Sequence, residues 1–330
     1  MYIDRYGFTE PPFRMTPDAR LYYASTVHAR AHAHLQYGLL QQEGFIAVTG
    51  EVGAGKTTLI ERLCGELDPA GFAVARVSTT LVSADDLLRL VADGFGVRSE
   101  GDKAAVLRDL IARLRATDRR HLLIVDEAQA LPHPALEELR MLSNFTEGNR
   151  ALLQIVLIGQ PQLREVIASP DLDQLRQRIL ASYHLSGLSA EETRAYVEHR
   201  MRAVGWQGTP SWEPGALEAV HRHSGGIPRR INRLCSRVLL SASLENADQI
   251  TASTVEATAL ELEQDLGTTL DRPRGAIRGI GYHPPPSVGE ERVGTQLEDI
   301  FQRIDALERG FARRERVFQQ LMDLFARGSR

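Results

Sequence analysis

Cysteine is nearly missing from this sequence: Cys64 and Cys235 are the only two in 330 residues. Two thiols cannot build a disulfide framework or fill a four-cysteine zinc site. Both lie in apolar stretches of helical spacing, so two buried free thiols are expected. Long apolar runs are missing too. Runs such as Ile155–Ile158 fall far short of the ~20 residues that cross a bilayer. Met1–Pro12 has charged and turn-forming residues where a secretion leader would have an apolar core. A cytoplasmic chain without a membrane span is expected. An excess of positive charge is also absent. The 39 Lys and Arg stand against 43 Asp and Glu, a net charge of -4. That disfavours a globally basic nucleic-acid binder and leaves room for a local basic patch.

What is present is enough apolar residue for a core, 43% hydrophobic with 25% charged. Length alone suggests roughly two domains. Short apolar strands alternate with amphipathic helices. Strands are expected at Phe45–Val48, Phe72–Val77, Leu122–Val125 and Leu152–Ile158, with a short one at Tyr183–Leu185. Helices are expected at Lys56–Leu67, from Ala84 after a Ser83 cap, at Ala104–Leu114 and at Pro134–Leu142. Strands separated by helices imply an α/β fold, a parallel sheet with helices on both faces.

The pattern changes near Ser189. Glu191–Val204, Pro214–His223, Pro228–Leu244 and Thr251–Glu263 read as helices with no strand among them. Ser189 and Glu192 form a capping-box signature. Asp271–Glu290 is rich in proline and glycine, which reads as a linker. Gln296–Ala326 then carries apolar residues at alternating three- and four-residue spacing, from Leu297 and Ile300 to Leu321 and Phe325. That suits a coiled-coil seam, a partner-binding helix, or a helix folded back on its own domain.

Gly50-Glu51-Val52-Gly53-Ala54-Gly55-Lys56-Thr57 fills every fixed position of the phosphate-loop pattern, between an apolar strand and a helix. Glycines let backbone N–H groups turn around phosphate oxygens, and the helix start adds a positive dipole end. Lys56 is expected on the β- and γ-phosphates, the Thr57 hydroxyl on Mg²⁺, and Thr58 near the α-phosphate. The third strand turns abruptly acidic at Asp126-Glu127. Carboxylates at that edge of a parallel sheet face the ligand crevice. Asp126 is expected to hold Mg²⁺ and Glu127 to orient or deprotonate the attacking water. The competing reading is two ordinary acids at a helix start. Gln160, ending the fourth strand, is the γ-phosphate sensor candidate.

Arginines complete the candidate set. Arg178, ahead of Arg176, is expected to reach a neighbouring subunit's nucleotide, the competing reading for either being a plain surface charge. Arg229 follows Gly225-Gly226-Ile227-Pro228 at a helix start and is expected to swing toward the phosphates. Arg229, Arg233 and Arg237 share a helix face that could equally bind DNA phosphate or a partner's acids. His28, His32 and His34 have no acidic or cysteine partner nearby in sequence, so a solvated helix face is expected there. No serine or cysteine nucleophile arrangement competes with the phosphate site.

Together these motifs resemble the AAA+ ATPases of the ExeA/GspA type. Gly50–Thr57 resembles their Walker A, Leu122–Glu127 their Walker B, and Gly225–Arg230 their sensor 2 region. Tyr6-Gly7-Phe8, Pro12-Phe13, Leu21-Tyr22-Tyr23, Asp126-Glu127-Ala128-Gln129 and Leu157-Ile158-Gly159-Gln160-Pro161 are similar to family stretches as well. Glu198-His199-Arg200 to Gly205-Trp206, with Ile227–Asn232, is most similar to the subgroup associated with exosortase (PEP-CTERM) loci. The resemblance covers about residues 1–265. It implies a five-stranded AAA+ P-loop sheet with a helical lid. The implied domains are 1–188 (the ATPase domain with its N-terminal segment), 189–265 (lid), 266–295 (linker) and 296–328 (amphipathic or coiled-coil helix). It also implies ATP as substrate, Mg²⁺ as cofactor, and a homo-oligomer. Envelope export or exopolysaccharide assembly proteins would be partners through the last helix, with the chain cytoplasmic or peripheral at the inner membrane. Family members with a transmembrane helix and a peptidoglycan-binding domain differ from this chain, which favours the soluble subgroup. The rival implied by resemblance is a DNA-dependent regulator like the transposition ATPases.

Overall fold

The computed structural model describes residues 2–16, 19–78, 82–98 and 100–266; the expected linker and last helix lie outside them. Five strands form one sheet: β1 (Phe45–Gly50), β2 (Phe72–Ser78), β3 (Arg120–Asp126), β4 (Gln154–Gly159) and β5 (Ile179–Leu185). Their order is β2-β3-β4-β1-β5, every pair parallel. β1 and β4 are buried at every residue, which is why they read as continuous apolar runs.

The period of two sorts these runs onto two faces. Phe45, Ala47, Leu123, Val125, Ile155 and Leu157 pack on one side with Leu87, Leu110 and Leu136. Ile46, Val48, Leu122, Ile124, Val156 and Ile158 pack on the other with Leu35, Leu59 and Leu63. Burying each such side chain contributes ~1.5–3 kcal/mol. The register pairs Ser78 with Asp126, Thr49 with Gly159 and Gly50 with Leu185. The strands therefore end on one edge, and β1 ends there between β4 and β5, where the strand order reverses.

Helix starts follow the capping residues. Ser83 accepts from the Asp86 N–H and Asp102 from the Ala105 N–H. The Ser189–Glu192 capping box is present in full. From there Ala190–Ala203, Pro214–Ser224, Pro228–Leu244 and Ala252–Leu266 build the helical lid. The expectation of no strand here needs correction: Ser211–Trp212 pairs in parallel with Gln249–Ile250. Two residues are too short to leave a periodic pattern. They tie two loop ends together, with the Glu213 N–H on the Ile250 carbonyl at 3.0 Å.

The N-terminal segment joins the lid's core. Tyr6, Phe8, Phe13 and Leu21 bury themselves among Tyr196, Met201, Val204 and Val238. Arg200 fastens it, with Nε donating to the Pro12 carbonyl at 2.8 Å and Nη2 to that of Arg14 at 3.3 Å. Of the two thiols, Cys235 is buried as expected, and its pKa is raised by that burial. Cys64 is only half-buried, because it lies at the margin of the face its helix packs. No helix among the described residues is long and apolar enough to cross a membrane.

The histidines of Thr26–Leu40 correct the expectation of a solvated face in part: it holds for His34, which is exposed, and fails for His28 and His32. His28 is buried, His32 Nε2 lies 2.8 Å from Glu66 Oε2, and the His34 ring is 5.0 Å from that of Tyr183. This helix packs against both β5 and the helix after the phosphate loop, so two of its sides are covered.

His28 and His121 are the buried imidazoles. Burial is the first cause holding each below the ordinary value; a backbone carbonyl (Ala54 and Leu152, respectively) pulls the other way. The Arg150, Arg119 and Arg113 charges push His121 down further. The unfolded chain then binds more protons, so this stability is complete above the unfolded imidazole value of about 6.5 and is lost as pH falls below it through the lower folded values. The melting temperature should therefore drop between about pH 7.5 and about pH 5.5. Replacing both histidines by Gln should flatten that dependence. An unchanged slope in the double variant would remove these two residues as its source.

Candidate active site

β1 delivers the chain to Gly50, and the helix Lys56–Glu66 takes over six residues later. The turn between is tight, with the Ala54 N–H on the Glu51 carbonyl at 3.1 Å. Gly53 has φ +84°, and a Cβ built there would sit 2.2 Å from Arg229 Cβ. Only glycine fits under that arginine. The helix start has Gly55 as its N-cap and no side-chain cap. Its first N–H groups and its dipole are thus left for an anionic ligand.

Lys56 is buried, with Nζ donating to the carbonyls of Gly50 at 2.7 Å and Glu51 at 3.0 Å. Burial lowers its pKa, while Glu127, Asp126 and Glu51 act to raise it. The ammonium therefore sits in a field set by the acidic end of β3. Thr57 and Thr58 follow on the same first turn.

At the end of β3, Asp126 Oδ1 accepts from the Glu127 N–H at 2.9 Å. Glu127 itself has φ 51° and ψ 37°, the left-handed region. A non-glycine residue there costs of order 1–3 kcal/mol, so the surroundings must hold it. They do so through two glutamines. Gln129 Nε2 donates to Glu127 Oε2 at 2.6 Å and Gln160 Nε2 donates to the same oxygen at 3.1 Å. Gln129 Oε1 then accepts from the Gln160 N–H at 2.9 Å, closing a loop across β3 and β4. The Gln129 bond is the first cause of a lowered Glu127 pKa, with Gln160 and the Lys56 charge adding and burial opposing. The carboxylate is held ionised.

A cavity of about 280 Å³ opens above the loop. Gly53, Gly55, Lys56, Thr57, Thr58 and Glu127 line one end. Leu21, Tyr22 and Tyr23 of the N-terminal segment, with Tyr196, Arg200, Arg229 and Asn232 of the lid, line the rest. One end is cationic and rich in N–H donors and the other is aromatic, the chemistry a nucleoside phosphate requires. Arg229 also gives its backbone N–H to the Gly53 carbonyl at 3.2 Å, joining lid to loop.

The sequence candidates thus divide. The loop residues, Asp126, Glu127, Gln160 and Arg229 come together on one sheet edge. Val52 is half exposed at the rim. Arg178 is exposed beside the start of β5, at the opposite sheet edge from the loop, and its carbonyl accepts from the Phe45 N–H at 2.9 Å. It does not meet this chain's own site. Sequence reading missed Gln129, Asn232 and His28. Gln129 carried only a family likeness, with no pattern to give it a partner.

Among the described residues no group of three or more His, Cys, Asp or Glu could hold a metal. The Thr57 hydroxyl and the Asp126 carboxylate are nevertheless the hard oxygen donors that suit Mg²⁺, which commonly takes one or two protein ligands plus phosphate and water. The residues fit that ion. Gly53→Ala should break the loop–lid contact, costing about 1–3 kcal/mol, because both φ and the Arg229 side chain resist the methyl. Urea unfolding of the variant checks this; an unchanged midpoint would contradict the packing.

Residues 39–167 match the family model described as AAA domain. The chain is 39% identical over 329 residues to General secretion pathway protein A of Aeromonas hydrophila, covering 94% of this chain and 60% of that relative's length. It is 28% identical over 229 residues to the Holliday junction branch migration complex subunit RuvB of Oleidesulfovibrio alaskensis, covering 66% of this chain and 61% of that relative. Among solved structures, Cdc6p from Pyrobaculum aerophilum matches with a TM-score of 0.61 at 15% identity, over 77% of this chain and 73% of that one. The Aeropyrum pernix ORC2 protein matches with a TM-score of 0.57 at 18% identity, over 76% and 71%. The strand order, the phosphate loop and these likenesses converge: this chain has the AAA+ P-loop fold and is similar to a secretion-pathway protein over most of its length.

Proposed function

We propose that this chain binds Mg-ATP in the loop cavity and hydrolyses it, and that the cycle drives or regulates an assembly for export at the bacterial envelope. One observation carries this reading: an uncapped helix start with a buried Lys56 and an ionised Glu127, all lining one cavity under the lid. The likeness to General secretion pathway protein A supports the export role. The finer assignment, to an exosortase-associated exopolysaccharide system, rests on the resemblance of Glu198–Trp206 and Ile227–Asn232 alone.

The residues divide the work. Lys56 would exchange its two carbonyl partners for β- and γ-phosphate oxygens, and the first-turn N–H groups would cradle the same oxygens. Thr58 would support the α-phosphate. Leu21, Tyr22 and Tyr23 offer the surface against which a base packs. Thr57 and Asp126 would hold Mg²⁺, which when bound neutralises phosphate charge as a Lewis acid. Glu127 has a lowered pKa and is therefore a weak base; its first task is to orient the water. It receives the water's proton as the new P–O bond forms and the bond to the ADP oxygen breaks, late in a loose transition state. Gln160 touches Glu127 and the end of β4 at once, so it is placed to register the loss of the terminal phosphate. Arg229 would add a charge from the lid. Arg178 can serve only a second copy's site, which makes a homo-oligomer part of this reading.

A DNA-dependent role gains less support. Arg237, one of the three arginines of the shared face, places its guanidinium 3.4 Å from Asp265. That leaves the strip shorter than its sequence spacing suggests.

Calorimetry should show Mg-ATP binding that Lys56→Ala removes. Glu127→Gln should keep binding and lower kcat by roughly 10²–10⁴-fold. Normal turnover in Glu127→Gln would overturn its role. Arg178→Ala should keep binding yet lose roughly 10³–10⁵-fold in turnover at concentrations where the wild type associates. Equal turnover there would dismiss the trans arginine. A steep loss of DNA affinity with salt, together with DNA-stimulated turnover, would favour the rival regulator over export.

A further inference from the structure

His28 touches the phosphate loop from outside the set of residues just assigned. Ser25, the N-cap of Thr26–Leu40, accepts from the His28 N–H at 3.2 Å. The same Ser25 Oγ is 2.7 Å from His28 Nδ1, and His28 Nε2 is 3.1 Å from the Ala54 carbonyl. These contacts fix the tautomer. A carbonyl only accepts, so Nε2 carries the hydrogen. Nδ1 then presents a lone pair, which the Ser25 hydroxyl meets as donor, while the hydroxyl oxygen keeps the backbone N–H. Every polar atom is satisfied by a neutral ring.

The surroundings suit that state. Ser25 and His28 are 1% and 6% exposed. Tyr22 from the N-terminal segment meets the ring edge-on at 6.3 Å. From the lid, Glu192 accepts the Thr26 N–H at 2.6 Å and is the charged group whose field reaches the imidazole. A Cβ on Gly55 would lie 2.5 Å from His28 Nε2, so the ring rests directly on the loop backbone.

The consequence lies in the peptide plane. In a trans peptide the C=O of one residue and the N–H of the next point opposite ways. A ring that holds the Ala54 carbonyl therefore fixes the Gly55 N–H in the reverse direction, away from the imidazole. We propose that His28 is a positioning residue for nucleotide binding: by holding the Ala54–Gly55 peptide it pre-sets a loop N–H as a phosphate donor. The inference rests on the nucleotide reading of the site and adds a residue outside the loop to it. The ring acts before the ligand arrives, so its effect falls on affinity, with little left for the chemical step.

The test uses the full chain and Mg-ADP and Mg-ATP as probes. Gln can place an amide N–H near the position of Nε2; Asn is too short to reach Ala54, and Leu has no donor. His28→Leu and His28→Asn should raise Kd and KM about tenfold or more, the scale of one lost hydrogen bond, with kcat at saturation changed less than about threefold. His28→Gln should return Kd to within about threefold of wild type, and Ser25→Ala should fall between. Comparable melting temperatures for Gln and Asn would show that the difference is one of positioning. Should Leu destabilise the fold, the Gln–Asn pair still decides. Equal Kd for Gln, Asn and wild type, or a fall in kcat with KM unchanged, would overturn the proposal and leave the nucleotide site intact. A wild type that binds neither nucleotide would overturn the site reading itself, and this inference with it.

Discussion

A buried ammonium governs this molecule's working edge. Lys56 cannot be withdrawn from water without partners, and the turn from β1 supplies two carbonyls for it. The positive-φ glycine at 53 follows from the need to fold the backbone around that charge beneath the lid. So does the acidic end of β3, whose carboxylates offset the cost of burying the lysine.

The sheet converts this local need into a site. Because β1 lies at the point where strand order reverses, its loop opens into a crevice that no neighbouring connection fills. β3 and β4 end beside it, so Glu127 and Gln160 meet although they are far apart in sequence. Gln129 turns that meeting into a closed hydrogen-bonded ring, and the strained backbone at Glu127 is held by it. Ordered polar groups of this kind stabilise charge without reorganising during reaction.

Much of the sheet and the loop was legible in the residues. The apolar runs are continuous because β1 and β4 are buried on both faces, and the loop pattern is dictated by sterics that only glycine satisfies. The helices were readable from Ser83, Ser189 and Pro228, each of which begins a helix for a local reason. The histidine helix departs from expectation at His28 and His32 for an equally physical reason, while His34 is exposed. His28 lies on the same stripe as Ala31, Leu35 and Leu39, and the neighbours, β5 and the loop helix, cover that stripe. Gln129 was invisible as an actor because a glutamine's partners lie across strands. The resemblance groups the N-terminal segment with the sheet in residues 1–188, while its aromatic residues find their apolar surface in the lid.

That last allegiance shapes how the two bodies can turn. Backbone passes between them twice, once beside Ser25 as the first residues leave the lid's core for the sheet, and again after β5, where the Leu188 N–H sits on the Gly226 carbonyl at 2.9 Å. Two tethers define a line. Rotation about that line is the freedom the covalent chain leaves, and the Arg229 N–H on the Gly53 carbonyl and the Thr26 N–H on Glu192 are the hydrogen bonds that close it. The aromatic wall straddles that line: Leu21 and Tyr23 pack with the lid, while the Tyr22 ring meets His28 at 6.3 Å and lies under the Arg62 guanidinium at 5.2 Å, so one short stretch of chain is answerable to both sides.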